Sequence, residues 1–211
     1  MISKLNNEQL LLWLSGKLPG REAQYRMAPA DRDPMNPPAN PKEAAVLLLI
    51  YQDADRQRLV LMKRNVYDGP HSGQISFPGG MREAEDLDTE QTAIRETAEE
   101  TGIDTGGISI LGKLTPLYIP VSNFLVQPFI GWYSKVPVFS PDKSEVQYLL
   151  TPDIMELTDP SCRSVDSFFI RGKEIEIPCF SYKNEIIWGA TAMILSEFMA
   201  LCGYWPLPQH Q

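Results

Sequence analysis

Apolar positions along the chain come in short runs separated by polar turns, a rhythm of strands interrupted by two longer stretches of helical period. Residues 44–51 (AAVLLLIY) are continuously apolar, which suits a strand buried on both faces. Residues 59–63 (LVLMK) make a second strand, joined to the first by the polar connection 54–58. After a loop at 67–72, a short strand at 74–77 feeds Pro78-Gly79-Gly80. Further strands are expected at 108–115, 124–133 and 145–150, with Gly131 bending the second of these, and a helical turn at 152–157. Residues 167–170 and 174–177 form a hairpin around Gly172, and 185–201 close the chain as a largely apolar helix. At the other end, 7–15 (NEQLLLWLS) has a helical pattern with Leu11, Leu12 and Trp13 as candidates for burial. Residues 21–41 are rich in Pro, Asp, Asn and Met and read as an irregular connector.

The most polar helix lies in the middle. Asp88 is suited to cap its start, with Gln91 three residues on, and Gly102 to stop it. Glu96, Glu99 and Glu100 fall at i, i+3 and i+4 and share one face, while Ile94, Thr97 and Ala98 form the less polar face that docks on a core. Like charges at this spacing repel by a few tenths of a kcal/mol per pair. Either Arg95 offsets the repulsion on a solvated face, or a divalent cation does. Hard cations take oxygen ligands, with protein carboxylates completed by water and substrate phosphate. The Gly-Gly pair upstream favours the second reading, since glycine lets backbone approach a ligand and offers its carbonyl.

Composition adjusts this picture modestly. The chain has 211 residues, enough for one domain that buries roughly 70% of its unfolded surface. A formal charge of −8 argues against broad binding to nucleic acid or to anionic membrane. Three scattered cysteines without a CxxC pattern suggest free thiols in a reducing compartment. No apolar run approaches a membrane span, and the first ten residues lack the apolar core of a signal peptide. A cytoplasmic location is expected. Met, Trp and aromatic residues in the N-terminal extension suit a homodimer contact and suit intrachain packing equally.

Gly80, Arg95-Glu96, Glu99-Glu100, Gly102 and Ile103 together resemble the box of the Nudix hydrolases. The pattern runs Gly, five residues, Glu, seven residues, Arg-Glu, apolar, any, Glu-Glu, any, Gly, apolar. Here Asp86 stands near the place of the first Glu, Arg95 lies one residue further from Gly80, and Thr97 replaces the apolar residue. Upstream, Arg64, His71, Gly73, Gln74 and Phe77-Pro78-Gly79-Gly80 resemble the coenzyme A pyrophosphatase branch, with Lys63, Asn65 and Gly69 as departures; Gly69 stands where that branch carries a basic residue. The segments 117–124 and 187–192 look like the same branch.

The resemblance implies an α/β fold, a Nudix-like α/β/α sandwich with a mixed sheet over residues 42–204, preceded by a helix and irregular extension at 1–41. It implies Mg²⁺- or Mn²⁺-dependent hydrolysis of a nucleoside diphosphate derivative, with coenzyme A or acyl-coenzyme A as substrate; a hydrolase for ADP-ribose, NADH or another dinucleotide, or a binding module without hydrolysis, are the alternatives. Glu96, Glu99, Glu100, Glu145 and the Gly80 carbonyl are then the metal ligands. Glu99 and Glu96 act in catalysis with Arg95, which pairs with Glu83, Glu85 or Asp86 to position the box. Arg64, His71, Gln74 and Asn123 are the candidates for holding a small nucleotide substrate. Trp188 suits packing better than stacking on a base.

Overall fold

The computed structural model describes residues 5–29, 36–69, 71–169, 172 and 174–205, together with the backbone of 170 and 173. Its central strand, β1 (Lys42–Asp53), is the apolar run that suited burial on both faces. Alternate side chains enter separate cores. Ala44, Leu48 and Ile50 join one cluster; Ala45, Leu47, Leu49 and Tyr51 join the other. Helix α3 (Thr89–Thr101) closes the second through Ala93, and α5 (Gly189–Leu201) closes the first through Ile194 and Phe198. The expected α/β/α sandwich is therefore present, with β1 as its spine.

Both edges of β1 are occupied. On one side β8 (Phe124–Tyr133) runs parallel to it, from Lys42↔Phe124 to Tyr51↔Tyr133. The other edge is shared: β5 (Gly79–Met81) pairs antiparallel with Ala44–Val46, and β2 (Arg56–Leu59) with the far end. Beyond β8 lie β6 (Ile108–Lys113) and β7 (Leu117–Ile119), so the six-stranded sheet is mixed. Two small antiparallel sheets flank it. One is β4 (Ile75–Ser76), β3 (Leu61–Arg64) and β9 (Val146–Leu150); the other is β10 (Arg163–Ile170), β11 (Lys173–Tyr182) and β12 (Glu185–Ile187). A short helix, α4 (Ile154–Thr158), follows β9.

Several expectations change. The second strand begins at Arg56, because Ala54 takes φ 50° and the turn needs only Ala54 and Asp55. It then divides: Leu59 pairs with Ile50 in the main sheet, while Leu61 pairs with Leu150 in a small one. Strand β8 is continuous through Gly131; the irregularity falls opposite, between Ile110 and Gly112 of β6. The terminal helix starts at Gly189, not 185, because that glycine has φ 63°, outside the helical region, and residues 185–187 pair with β11 as a strand. The hairpin around Gly172 is longer than its apolar segments.

The N-terminal extension is more ordered than its composition suggests. Helix α1 (Asn7–Leu14) buries Leu10 and half-buries Trp13 and Leu14, whereas Leu11 and Leu12 are 46% and 69% exposed. The inward stripe follows the i, i+3, i+4 spacing from Leu10, not the apolar triplet itself. Within the expected connector, Gly20–Tyr25 forms helix α2, supported by the good helix formers Arg, Glu, Ala and Gln. Buried Glu197 of α5 draws it in, accepting from the Gly20 N–H (3.1 Å), Gln24 Nε2 (2.8 Å) and the Thr115 N–H (3.2 Å). Met27 is buried, and Trp13 and Tyr25 pack against the same core, so these residues serve intrachain packing.

Replacing Glu197 by Leu keeps the volume and removes every acceptor. The stranded N–H groups should lower stability by about 3 kcal/mol. The shift of the urea unfolding midpoint measures this, and an unchanged midpoint would refute the clasp.

Candidate functional site

Pairing of β5 with β1 places Gly80 opposite Ala45, at the foot of α3. Gly79 is required there, and Gly80 lets the Glu96 carboxylate approach the backbone. Gly79 has φ 148°, and a Cβ on it would lie 2.2 Å from the Ala45 carbonyl oxygen; a Cβ on Gly80 would lie 2.5 Å from the Glu96 carboxylate. The helix is fixed at both ends as its sequence suggests. Asp88 Oδ1 accepts the Gln91 N–H at 2.9 Å, and Gly102 ends the helix at φ 71° with its N–H on the Ala98 carbonyl at 2.7 Å.

The inner face of α3 differs from the expected one. Thr92, Ala93, Thr97, Glu100 and Thr101 are buried, whereas Ile94 and Ala98 are half-buried. Thr97 fits its apolar position because its hydroxyl donates to the Ala93 carbonyl at 2.6 Å. The glutamates therefore share a side of the helix but not an environment. Their side chains are 15% exposed at Glu96, 59% at Glu99 and 2% at Glu100.

Arg95 organises the outer pair. Its Nε and Nη2 fork onto Asp86 at 2.9 and 3.0 Å, and its Nη1 lies 3.0 Å from both Glu96 and Glu99. Of the upstream carboxylates, Asp86 is the partner, while Glu83 and Glu85 are exposed. Asp86 also accepts from the Thr92 hydroxyl and the Glu83 N–H. The Arg95 guanidinium holds the Asp86 carboxyl well below the usual range, and Asp86 in turn raises Arg95. The extra residue between Gly80 and Arg95 is thus compatible with a two-pronged pair.

Glu100 is pinned inside. Its Oε2 accepts the Gly79 N–H at 2.8 Å, and its Oε1 faces Arg64 Nη1 at 3.3 Å. Burial pushes the Glu100 carboxyl up to about 8; the Gly79 N–H and Arg64 oppose this, and Glu96 and Glu145 add to it. Burial also raises Glu96, against the pull of Arg95. Glu145 is exposed in the turn before β9, where its field reaches Glu96 and Glu100. Among the described residues no three His, Cys, Asp or Glu side chains are drawn together as a ready-made metal cage. The donor set nonetheless suits a hard cation: buried carboxylates lacking full counter-charge lie against a close-approaching glycine backbone, leaving positions for water and phosphate.

A cavity of about 350 Å³ opens beside Gly79 and Gly80. Arg64, His71 and Gln74 line it, as does Ser122. His71, at φ 67°, spans two loops, with Nδ1 3.2 Å from Gln74 Oε1 and Nε2 3.4 Å from Ser122 Oγ. Asn123 is not among the lining residues; at φ 56° it turns the chain into β8 and its Oδ1 accepts from the Tyr118 hydroxyl at 3.0 Å. Trp188 stacks on Phe168, centroids 4.5 Å apart. Sequence reasoning did not single out Tyr67, Phe124 or Thr191 as lining residues, since their loop, strand and helix converge only in three dimensions. A Cβ on Gly69 would lie 2.9 Å from the Tyr67 ring, so this position is covered by an aromatic edge. A broader hollow of about 740 Å³, between residues 39–43 and 81–84, is not lined by the box glutamates.

A NUDIX domain model matches residues 41–162, more than half of the chain. The chain belongs to the Nudix family. Nudix hydrolase 22 (chloroplastic) of Arabidopsis thaliana is 36% identical over 163 residues, which cover 74% of this chain and 53% of that protein. Nudix hydrolase 15 (mitochondrial) of the same plant is 34% identical over 82% of this chain and 62% of that protein. The chain thus spans between about half and two thirds of these plant relatives. An uncharacterized Nudix hydrolase, NudL, of Photorhabdus laumondii is 30% identical over 75% of this chain and 83% of its own length. In fold, the Nudix hydrolase RenU of M. smegmatis superposes with a TM-score of 0.52 at 15% identity, covering 80% of this chain and 90% of that one. Among the described residues no helix of this Nudix chain is long and apolar enough to cross a membrane. Cys162, Cys179 and Cys202 are unpaired.

Two outcomes are expected. Asp86→Asn breaks the fork to Arg95 and should cost about 1–3 kcal/mol, read from chemical unfolding. The raised Glu100 makes the folded, metal-free protein hold a proton that the unfolded chain has released, so stability falls as pH rises from the ordinary carboxyl range towards about 8. Added Mg²⁺ should therefore raise Tm more above that pH than below it; equal gains would contradict the assignment of Glu100.

Proposed function

We propose that this Nudix chain hydrolyses the diphosphate linkage of a nucleoside diphosphate derivative with the help of Mg²⁺ or Mn²⁺, and that coenzyme A or an acyl-coenzyme A is its substrate. The products are then 4′-phosphopantetheine and adenosine 3′,5′-bisphosphate. The observation that carries this reading is the junction of two environments at Gly79-Gly80. The carboxylates of α3 lie on one side and the largely apolar cavity on the other, with the Arg64 fork between them. A diphosphate held at the junction places a nucleoside or pantetheine arm against Phe77, Ile119 and Phe124.

Glu96, Glu100 and the Gly80 carbonyl are the proposed principal ligands, with Glu99 and Glu145 completing the acidic set. The bound cation supplies charge neutralisation at the phosphates and activation of the attacking water. Glu99, exposed and tethered to Arg95, is placed to orient that water or accept its proton. Arg95 holds Glu96 and Glu99 at a fixed spacing through Asp86. Arg64 forks onto phosphate, and His71 and Gln74 present polar groups to the substrate from the cavity wall, with Asn123 shaping the turn beneath.

Gly69 favours a second reading. With no cationic side chain at that place, the loop offers less to a 3′-phosphate, and ADP-ribose, NADH or another dinucleotide lacking that group would be preferred.

Hydrolysis of coenzyme A, acyl-coenzyme A, 3′-dephospho-coenzyme A, ADP-ribose and NADH, with products separated by chromatography, distinguishes the two. Preference for coenzyme A over its dephospho form supports the first reading; preference for ADP-ribose or NADH supports the second. Glu100→Gln should lower kcat by about 100-fold or more while circular dichroism stays unchanged. An unaffected rate would overturn the ligand assignment.

A further inference from the structure

Arg64 stands where the α3 carboxylates meet the cavity: its side chain is 23% exposed, lines that cavity, and is the only cation paired with Glu100 among the described residues. Its neighbours are committed elsewhere. Lys63 pairs with Glu185 at 2.7 Å, and Arg95 is divided among Asp86, Glu96 and Glu99. Between Lys63 (opposite Tyr148) and Arg64 (opposite Val146) the register shifts by the extra residue Gln147 of β9, so the ladder is irregular beside Arg64.

The contact itself is incomplete. Arg64 reaches Glu100 through one nitrogen at 3.3 Å, long for a charged N–H···O bond, whereas Arg95 grips Asp86 with two at 2.9 and 3.0 Å. Among the described residues the rest of the Arg64 fork has no further carboxylate to match, and the cavity beside it offers space for an anion.

We propose that Arg64 is a placeholder cation, which pairs with Glu100 while the divalent ion is absent, yields that carboxylate to the ion, and then turns its fork to the phosphate of the substrate. This rests on the metal reading above and adds to it, because Arg64 has two alternating partners and thereby couples metal loading to anion capture. A doubly charged ion competes well for the same oxygen against a single, long hydrogen bond. The guanidinium released from Glu100 remains beside the cavity, where a phosphate is the matching partner. Such coupling is reciprocal: the metal and the anion tighten each other by the same factor.

Calorimetric titration of the substrate-free protein with Mn²⁺, at about pH 8.5 so that the raised Glu100 has released its proton, tests this. Arg64→Gln should bind Mn²⁺ about tenfold more tightly than the wild type, because the competitor for Glu100 is gone. The same variant should have a lower Tm without metal and lose that deficit at saturating Mn²⁺. Arg64→Lys keeps the charge but not the fork. It should bind Mn²⁺ like the wild type, while the gain in affinity for methylenediphosphonate on adding Mn²⁺ falls about tenfold. Unchanged or weaker Mn²⁺ binding by Arg64→Gln, or a Tm deficit that persists with metal, overturns the proposal. If Arg64→Gln does not fold, an undiminished diphosphonate gain in Arg64→Lys overturns it. Absence of Mn²⁺ binding by the wild type overturns the metal reading itself, a result distinct from any outcome at Arg64.

Discussion

The hydrogen bond from the Gly79 N–H to the Glu100 carboxylate joins the sheet to α3 at the place where the chain leaves the Phe77-Pro78 segment. It requires a carboxylate to be buried, and burial opposes its ionisation. The surroundings reduce that cost with a backbone donor and with Arg64, yet leave the carboxyl raised. A group held this way has a strong tendency to accept a cation, and that tendency is a property of the fold before any ligand arrives. The geometry also brings the neighbours together: the Glu96 carboxylate lies where a Cβ on Gly80 would sit, close against the backbone of β5.

The spine of the sandwich supplies the rigidity this arrangement needs. Strand β1 is hydrogen-bonded along both edges, and its side chains alternate into two cores. The β5 pairing is short, but it is anchored on the best-buried strand, so the glycine pair is placed by the interior and not by a free loop. On the opposite face, Glu197 of α5 gathers α2 and Thr115, just past β6, into the same core, making the N-terminal extension part of the packed body. The two buried glutamates differ in surroundings. Glu197 is met by several N–H donors from two segments and serves packing; Glu100 is met by one N–H and one partial ion pair, and faces a cavity through Arg64.

The three box glutamates differ in depth. Glu100 is inside, Glu96 at the boundary and Glu99 outside, so one helical face presents a gradient of solvation. Arg95 connects the outer two to Asp86 and limits their movement. Arg64 lies between the cavity and buried Glu100, and its charge offsets part of the acidity there.

The sequence by itself determined the elements whose signals are local. The continuous apolar run of β1, the Asp88 cap, the Gly102 stop and the spacing of Glu96, Glu99 and Glu100 are short-range statements, and each is found where its residues place it. Local pattern misled where long-range packing chose among compatible states. Residues 20–25 became helical through docking on Glu197, residues 185–187 joined a sheet because Gly189 cannot lie in a helix interior, and Leu11 and Leu12 were left outside by helical geometry. The sequence showed three equivalent carboxylates; only the tertiary structure made them unequal, because the depth of each depends on which side of α3 faces the sheet. The choice of Asp86 as the partner of Arg95, the aim of Arg64 and the convergence of Tyr67, Phe124 and Thr191 on one cavity were likewise decided by distances between segments far apart in the chain, which no local spacing encodes.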